Sequence, residues 1–368
     1  MNRLQGTARV GLGALLALTV AVPTVAQERI DLDAATVGPS GEASTPVDAI
    51  PALTEEELAE ISGGGHTAAL LWAGAGTWYN ALSAGARDAF TEMGIEVVTE
   101  AEANFDPARQ ATDIETALAL KPDIILSLPV DPVAGAQAFR PAIDAGVKLV
   151  FVDNGVDGYV PGTDYVAIVT GDHFGMGKAA ADLMADAIGG SGKIGVIYHD
   201  AVFYVTNNRD RYFQAAIEQR YPEIEIAAAQ GFAEESRTQE IAAAMLAQNP
   251  DLAGIYVAWS SAAQGVIAAL REAGKPDVRV VAYDLDATND LDMASCGNMA
   301  GVALDRPYQE GRTMALLAAH ALLGNETPTF VTVPVQTETR ENIEQVWTEN
   351  VNAAPPQEIL EALAAGCA

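Results

Sequence analysis

Basic residues are scarce in this chain: 20 Lys and Arg stand against 50 Asp and Glu over 368 residues, a formal charge of −30. Binding to nucleic acid needs a basic footprint on phosphate, so DNA and RNA are excluded as partners. There are two cysteines, Cys296 and Cys367, and four scattered histidines, His66, His173, His199 and His320. Their spacing matches no metal-ligand pattern, and no metal site is assigned. The cysteines either pair, tying the C-terminal tail to the body in an oxidising compartment, or stay as two thiols; both readings stay open. Beyond the first 26 residues no apolar run is long enough to cross a bilayer. Enzyme signatures are missing as well. No G-x-S-x-G nucleophile elbow occurs. Gly74-Ala75-Gly76 lacks the third glycine of a dinucleotide fingerprint, and Gly177-Lys178 lacks the earlier glycine of a P-loop. Neither a catalytic residue nor a cofactor is expected.

What is present begins with an address. Arg3 and Arg9 precede an apolar stretch, Val10–Val22, and Thr24-Val25-Ala26 offers a small-residue cleavage site before Gln27. This predicts a secretory signal peptide over residues 1–26, cut near Ala26, and an exported protein. Residues 27–65 read as a leader. Within it Thr54 and Glu57 have the spacing of a capping box, so a short helix is expected before Ser62-Gly63-Gly64-Gly65.

From His66 onward, short apolar runs alternate with helical patterns. Strands are expected at Thr67–Trp72, Glu96–Thr99, Asp123–Leu128 and Lys148–Asp153, with helices at Tyr79–Met93, Pro107–Leu120 and Pro132–Ala145. After Tyr165–Thr170 a second series follows, with strands at Lys193–His199, Glu225–Ala229, Gly254–Trp259 and Arg279–Asp284. Its helices are expected at Phe174–Ile188, Asn208–Arg220, Arg237–Gln248 and Ser261–Ala273. The runs are apolar throughout rather than alternating, which marks parallel strands covered on both faces. The fold class is therefore α/β: two doubly wound parallel-sheet lobes. Met299–Asp305, Pro307–Leu323 and Thr329–Thr337 fit neither series and are read as crossing back between lobes, giving a three-strand hinge near Gly171, Asp305 and Thr332. The expected division is 66–171 with 305–331 for the N-terminal lobe, 172–304 with 332–350 for the C-terminal lobe, and a tail over 351–368.

In open α/β sheets ligands bind at the carboxyl ends of strands. The first strand end leads into two adjacent aromatics, Trp78 and Tyr79. Later strand ends deliver Asp153-Asn154, His199-Asp200, Trp259-Ser260, Asp284 and Asp305-Arg306, and Asn207, Asn208 and Arg209 stand at the expected head of a helix. Singly, such residues serve as turn formers and caps. As a set, aromatic faces beside charged hydrogen-bonders suit a polyol: ring faces stack on C–H surfaces, and hydroxyl groups bond to carboxylates, amides and guanidinium. The pair Asp153 and Asp284 is also conceivable as a glycosidase couple, but an exported two-lobed chain favours capture over chemistry.

At these residues the chain resembles a known family. From about His66 to Trp347 it is similar to the periplasmic sugar-binding proteins of ABC transporters, the type I solute-binding proteins of the ribose-binding cluster. Trp78-Tyr79 before Gly85–Ala89, Asp153, Arg209 followed by Phe213, Asp284, and Asp305-Arg306-Pro307-Tyr308 stand where that family's motifs stand. Asn154 replaces the usual Arg, Trp259-Ser260 replaces Asn-Asp, and Asp305 replaces Gln, departures that point away from ribose itself. The resemblance implies a type I periplasmic binding fold and ligand contacts from Trp78, Tyr79, Asp153, Asn154, Arg209, Trp259, Asp284 and Asp305, with Trp259 as the wall opposing Trp78-Tyr79. It implies a small-molecule sugar or polyol (a pentose, sugar alcohol or cyclitol) as ligand and an ABC permease in the inner membrane as partner. The protein itself is expected to be a periplasmic monomer. Two alternatives accompany it: a ligand sensor for a membrane receptor, and a binder of a small cationic ligand.

Overall fold

The computed structural model describes residues 29–367; the signal peptide expected at residues 1–26 lies outside the described residues. Strands in chain order are β1 (Thr45–Pro46), β2 (Thr67–Trp72), β3 (Glu96–Glu102), β4 (Ile124–Ser127), β5 (Lys148–Val152) and β6 (Ala167–Gly171). Then come β7 (Gly192–His199), β8 (Ile224–Phe232), β9 (Leu252–Val257), β10 (Arg279–Tyr283) and β11 (Met299–Leu304), followed by β12 (Phe330–Val333) and β13 (Gln336–Glu338). They form two sheets, one per lobe: β1-β12-β6-β5-β4-β2-β3, and β13-β11-β10-β9-β7-β8. All neighbours are parallel except β13, which runs antiparallel to β11.

Burial follows the alternation of the pleat. On β2, Ala68, Leu70 and Trp72 enter the core on one face, and Ala69 and Leu71 the core on the other. On β10, Val280 and Ala282 face one core, and Val281 and Tyr283 the other. Both faces of each sheet are covered, which explains the unbroken apolar runs. The strand order reverses beside β2 in the first sheet and beside β7 in the second. Such switch points open a crevice at the carboxyl ends of the strands.

The chain passes between lobes three times. It leaves β6 at Gly171 for the helix His173–Ile188, and leaves β11 at Leu304 for the helix Pro307–Leu322, which packs into the first lobe's core. The third passage lies at Pro334-Val335, not at Thr332. Thr332 is held inside the first sheet, paired to Thr170 on one side and Pro46 on the other.

Several helices differ from the sequence pattern. The single helix expected over 132–145 is two, Pro132–Ala138 and Arg140–Asp144. Pro141 has no N–H, and its ring displaces the carbonyl four residues earlier, so the ladder breaks. The helix expected from Asn208 begins a turn earlier, as Tyr204–Arg220. Arg209 is thus inside the helix rather than at its head. The C-terminal segment carries two further helices, Ile343–Val351 and Gln357–Ala365. The second is anchored by the fully buried Ile359, and Cys296 and Cys367 form a disulfide with a Cα–Cα separation of 5.7 Å.

The leader is part of the body. The helix Glu55–Gly63 carries the capping box of Thr54 and Glu57. Ahead of it, β1 adds an edge strand to β12, and Ser44 Oγ lies 2.6 Å from Thr332 Oγ1. Further back, Thr36 Oγ1 donates to Asp172 Oδ1 at 2.6 Å, and Lys178 Nζ donates to the Leu32 carbonyl at 2.8 Å. The segment from Leu32 to Pro46 therefore touches the second lobe's first helix at one end and the first lobe's sheet at the other.

Candidate ligand-binding cleft

The strand ends converge between the lobes. β5 stops at Val152 because Asp153 turns left-handed (φ 64°), and β10 stops at Tyr283 because Asp284 does the same (φ 69°). This region is costly for most side chains and tolerated by Asp, so each lobe sets one carboxylate at the cleft in a strained turn.

Two close helix crossings place the remaining groups. In the first lobe a side chain at Gly85 would strike the Tyr308 carbonyl, so glycine lets Thr77–Glu92 lie against Pro307–Leu322. That contact sets Trp78 beside Asp305: Trp78 Nε1 donates to Asp305 Oδ1 at 2.8 Å. In the second lobe a side chain at Gly177 would strike Tyr212 and the Arg209 carbonyl. Its absence lets His173–Ile188 close on Tyr204–Arg220 and sinks Arg209 to 3% exposure.

Arg209 is the hub. Its Nη1 donates to Asp284 Oδ1 at 2.9 Å, its Nη2 to Asp305 Oδ2 at 2.8 Å, and its Nε to His173 Nδ1 at 3.3 Å. The guanidinium also lies over the Tyr283 ring, 5.1 Å from its centre. Thr170 donates to Asp153 Oδ1 at 2.7 Å and contacts His173 Nε2. Thus Trp78, Asp153, Arg209, Asp284 and Asp305 belong to one network, reached from three separate strand ends and two helices. Tyr79 stacks edge-on against Trp78, ring centres 4.9 Å apart. Asn154 is buried beside them with its Nδ2 unpartnered.

Burial raises the Asp153 carboxyl above the usual range, and Asp305 adds to the rise while Arg209 and Thr170 oppose it. Burial raises Asp284 as well, against the pull of Arg209. Burial, then Arg209, pushes His173 well below its ordinary value, so the imidazole is neutral. Burial also raises the Tyr79 phenol, helped by Asp153, Asp284 and Glu235.

Trp259 stands apart from this network. Its ring contacts, among the described residues, are with His199 (4.9 Å) and Phe232 (4.7 Å), and its Nε1 donates to Glu235 Oε2 at 3.2 Å. Glu235 in turn raises the Tyr79 phenol, so this cluster lies on the side of the second lobe that faces the aromatic pair. β7 and β8 end in His199 and Phe232, which offer its indole an aromatic seat within its own lobe.

The sequence pattern did not single out His173, Glu235 or Glu310 as site residues. Glu310 is fully buried, and one oxygen each of Asp153, Asp305 and Glu310 lie within 4.8 Å of one another. Burial raises Glu310 well above the usual range, and Asp305 and Asp153 add to it. One signal was available. Glu310 shares the apolar face of its helix with the buried Met314 and Leu317, at i+4 and i+7.

The lobes meet across this region. The Ala287 N–H donates to Thr77 Oγ1 at 3.4 Å, and Phe203 of the second lobe packs on the first lobe's core. A separate cavity of about 660 Å³ lies on the outer flank of the second lobe, along β8 and the helix Thr238–Gln248. It shares only Phe232 with the aromatic cluster described above.

A two-lobed parallel α/β body with polar strand ends facing a common cleft is the plan of the type I periplasmic binding proteins. Residues 68–326 match the family model described as periplasmic binding protein domain, and the chain belongs to that family. It is 26% identical over 227 residues to the ABC transporter periplasmic-binding protein YphF of Escherichia coli, 58% of this chain and 66% of that protein. The match thus spans just under two thirds of that relative. It is 25% identical over 252 residues to the ribose import binding protein RbsB of Salmonella typhimurium, 68% of this chain and 82% of that protein. Among solved structures it is similar to an ABC transporter solute-binding protein from Agrobacterium vitis bound with alpha-D-tagatopyranose. There the identity is 25% and the TM-score 0.69, covering 76% of this chain and 96% of that one.

Proposed function

We propose that this protein is the solute-binding component of an ABC importer. It captures a small polyhydroxylated ligand, a pentose, sugar alcohol or cyclitol, between its lobes and delivers it to a permease in the inner membrane. The observation that carries this reading is the floor of the cleft, where Asp153, Asp284 and Asp305 surround Arg209 beneath the Trp78–Tyr79 pair. Carboxylates accept from ligand hydroxyls, the guanidinium donates to ligand oxygens, and the aromatic rings take the C–H faces. The similar proteins, a ribose import binding protein and a solute-binding protein bound with alpha-D-tagatopyranose, support a sugar-like ligand.

Asp284 is the acid of the floor with the most solvent access, with 20% of its side chain exposed against 9% for Asp153 and 0% for Asp305. In this reading it meets the ligand first. A ligand that touches both lobes only when they are closed shifts the population toward the closed form by its differential affinity. Micromolar affinity corresponds to about −8 kcal/mol, within reach of a few charge-assisted bonds and stacked rings.

The test is calorimetry with a panel of pentoses, sugar alcohols and cyclitols on the wild type and Asp284→Ala. One ligand is expected to bind the wild type in the micromolar range. The variant should lose on the order of 10- to 100-fold, as removal of a hydrogen bond to a charged group does. No binding across the panel would overturn the ligand class; undiminished binding by the variant would overturn the site.

A further inference from the structure

The floor of the cleft holds more carboxyl groups than its protein partners can neutralise. Asp153, Asp284, Asp305 and Glu310 stand around one cation, Arg209, and the neighbouring His173 is neutral. Three of these acids have a place in the network already described. Asp284 and Asp305 are held by Arg209, and Asp153 by Thr170. Glu310 has none: it is 0% exposed, and neither of its carboxylate oxygens has a hydrogen-bond partner. A carboxylate taken out of water without a partner is costly, so a group in this position either holds a proton or meets a counter-charge.

The geometry supplies a seat for one. An oxygen from each of Asp153, Asp305 and Glu310 lies within 4.8 Å of the other two. The centre of a triangle with edges of 4.8 Å is about 2.8 Å from each corner, and calcium–oxygen bonds run at about 2.3–2.6 Å. A slight contraction therefore brings all three oxygens into range. We propose that Asp153, Asp305 and Glu310 form a binding site for a hard divalent cation of the calcium class, set into the floor of the cleft.

The donor set argues for that class. All three ligands are carboxylate oxygens, which suit calcium, magnesium and manganese rather than softer metals. The imidazole nearest the site is not free to ligate: His173 Nδ1 accepts from Arg209, and Nε2 is engaged with Thr170. Magnesium demands a tighter, near-octahedral shell and keeps its waters, which the dry surroundings of Glu310 do not favour. Asp153 and Glu310 come from the first lobe, while Asp305 lies on the crossing segment and is gripped by the second lobe's Arg209. A cation here would rigidify the joint between lobes, and its binding does not depend on the sugar reading.

The experiment uses the mature protein stripped with EDTA and desalted. Thermal unfolding and calorimetry are run at pH 7 with calcium, magnesium or manganese chloride alone, against sodium chloride at equal ionic strength. Terbium luminescence, sensitised through Trp78, reports occupancy directly. Calcium is expected to raise the melting temperature in a saturable way and to bind one ion per chain. Glu310→Gln should weaken calcium binding at least tenfold, Asp153→Asn should do likewise, and Glu338→Gln, a buried acid outside the triad, should not. Two results overturn the proposal: no saturable shift with millimolar calcium, which would mean that protons alone offset the charge, or a shift that Glu310→Gln and Asp153→Asn both retain in full. Sugar titrations on the stripped protein are read separately, so loss of the metal site and loss of the sugar reading are told apart.

Discussion

Arg209 and Asp305 meet at 2.8 Å where the chain leaves the second lobe, and neither side chain is more than 3% exposed. A single guanidinium thereby reaches from a helix of the second lobe to a crossing segment. With its other arm it holds Asp284 at the end of β10. Such a buried pair adds little net stability compared with apolar residues of the same shape, but removing one partner strands the other.

Arg209→Met should therefore lower the unfolding free energy by about 3–5 kcal/mol, the usual cost of breaking a buried ion pair from one side. Arg209→Lys should recover only part of this, because an ammonium cannot reach both carboxylates with a planar fork. Urea unfolding measures both. A methionine variant as stable as the wild type would mean that the network contributes nothing to holding the cleft together.

The leader makes a separable contribution. Thr36 is 2% exposed; its hydroxyl donates to Asp172 and accepts from the Phe174 N–H at 3.1 Å. Thr36→Val keeps the shape and removes both bonds, so a loss of about 1.5–3 kcal/mol is expected, as for hydrogen bonds to charged groups. Ser44→Ala, which removes a neutral bond to Thr332, should cost only about 1 kcal/mol. Guanidinium unfolding ranks the two, and a reversed order would contradict the role given to Asp172.

Stability should also depend on pH through a second buried acid pair. Asp290 and Glu338 are fully buried and face each other between the helix Ala287–Ala294 and β13. Burial, with Asp286 nearby, pushes Asp290 up to about 8, and burial with Asp290 pushes Glu338 well above its ordinary range. The unfolded chain releases these protons near pH 4, whereas the folded chain retains them. The contribution is thus full below about pH 4 and is lost as pH rises through about 8. Glu338→Gln, which needs no proton, should match the wild type near pH 5. Near pH 9 it should exceed it by roughly 2 kcal/mol. Parallel stability curves for the two proteins would remove the pair from the account.

The disulfide closes a span of 71 residues, for which the chain-entropy model gives a stabilisation of about 4 kcal/mol. Cys367→Ser should lower the melting temperature by less than that implies, because Ile359 still anchors the last helix in the core. Hydrogen exchange should show protection lost first over Gln357–Ala365. Addition of a reductant should lower the melting temperature of the wild type and leave the variant unchanged.

Much of the body was legible in the linear pattern. Ala68–Trp72, Lys148–Val152 and Arg279–Tyr283 announce parallel strands because residues on both faces are buried, so every position is under the same apolar demand. The strand-end residues Asp153, Asp284 and Asp305 were visible for a related reason: a polar group directly after an apolar run marks the sheet's edge. Boundaries were less legible. Pro141 lies inside an otherwise helical pattern and splits it, and Tyr204 begins its helix a turn early because Phe203 and Tyr204 are drawn onto the first lobe.

The amino-acid order by itself determined two parallel α/β lobes and a set of acidic, aromatic and guanidinium groups at their strand ends, because local burial and turn chemistry are written in adjacent residues. Only the tertiary structure decided which of those groups meet. Trp259 turns to His199 and Phe232, while Arg209 joins Asp284, at the end of β10, to Asp305, in the segment where the chain leaves the second lobe. Glu310, which reads as an ordinary helix acid, is buried against Asp153, 157 residues earlier in the sequence. Contacts of that kind depend on helix crossings such as Gly85 against Tyr308, whose closeness no local pattern records.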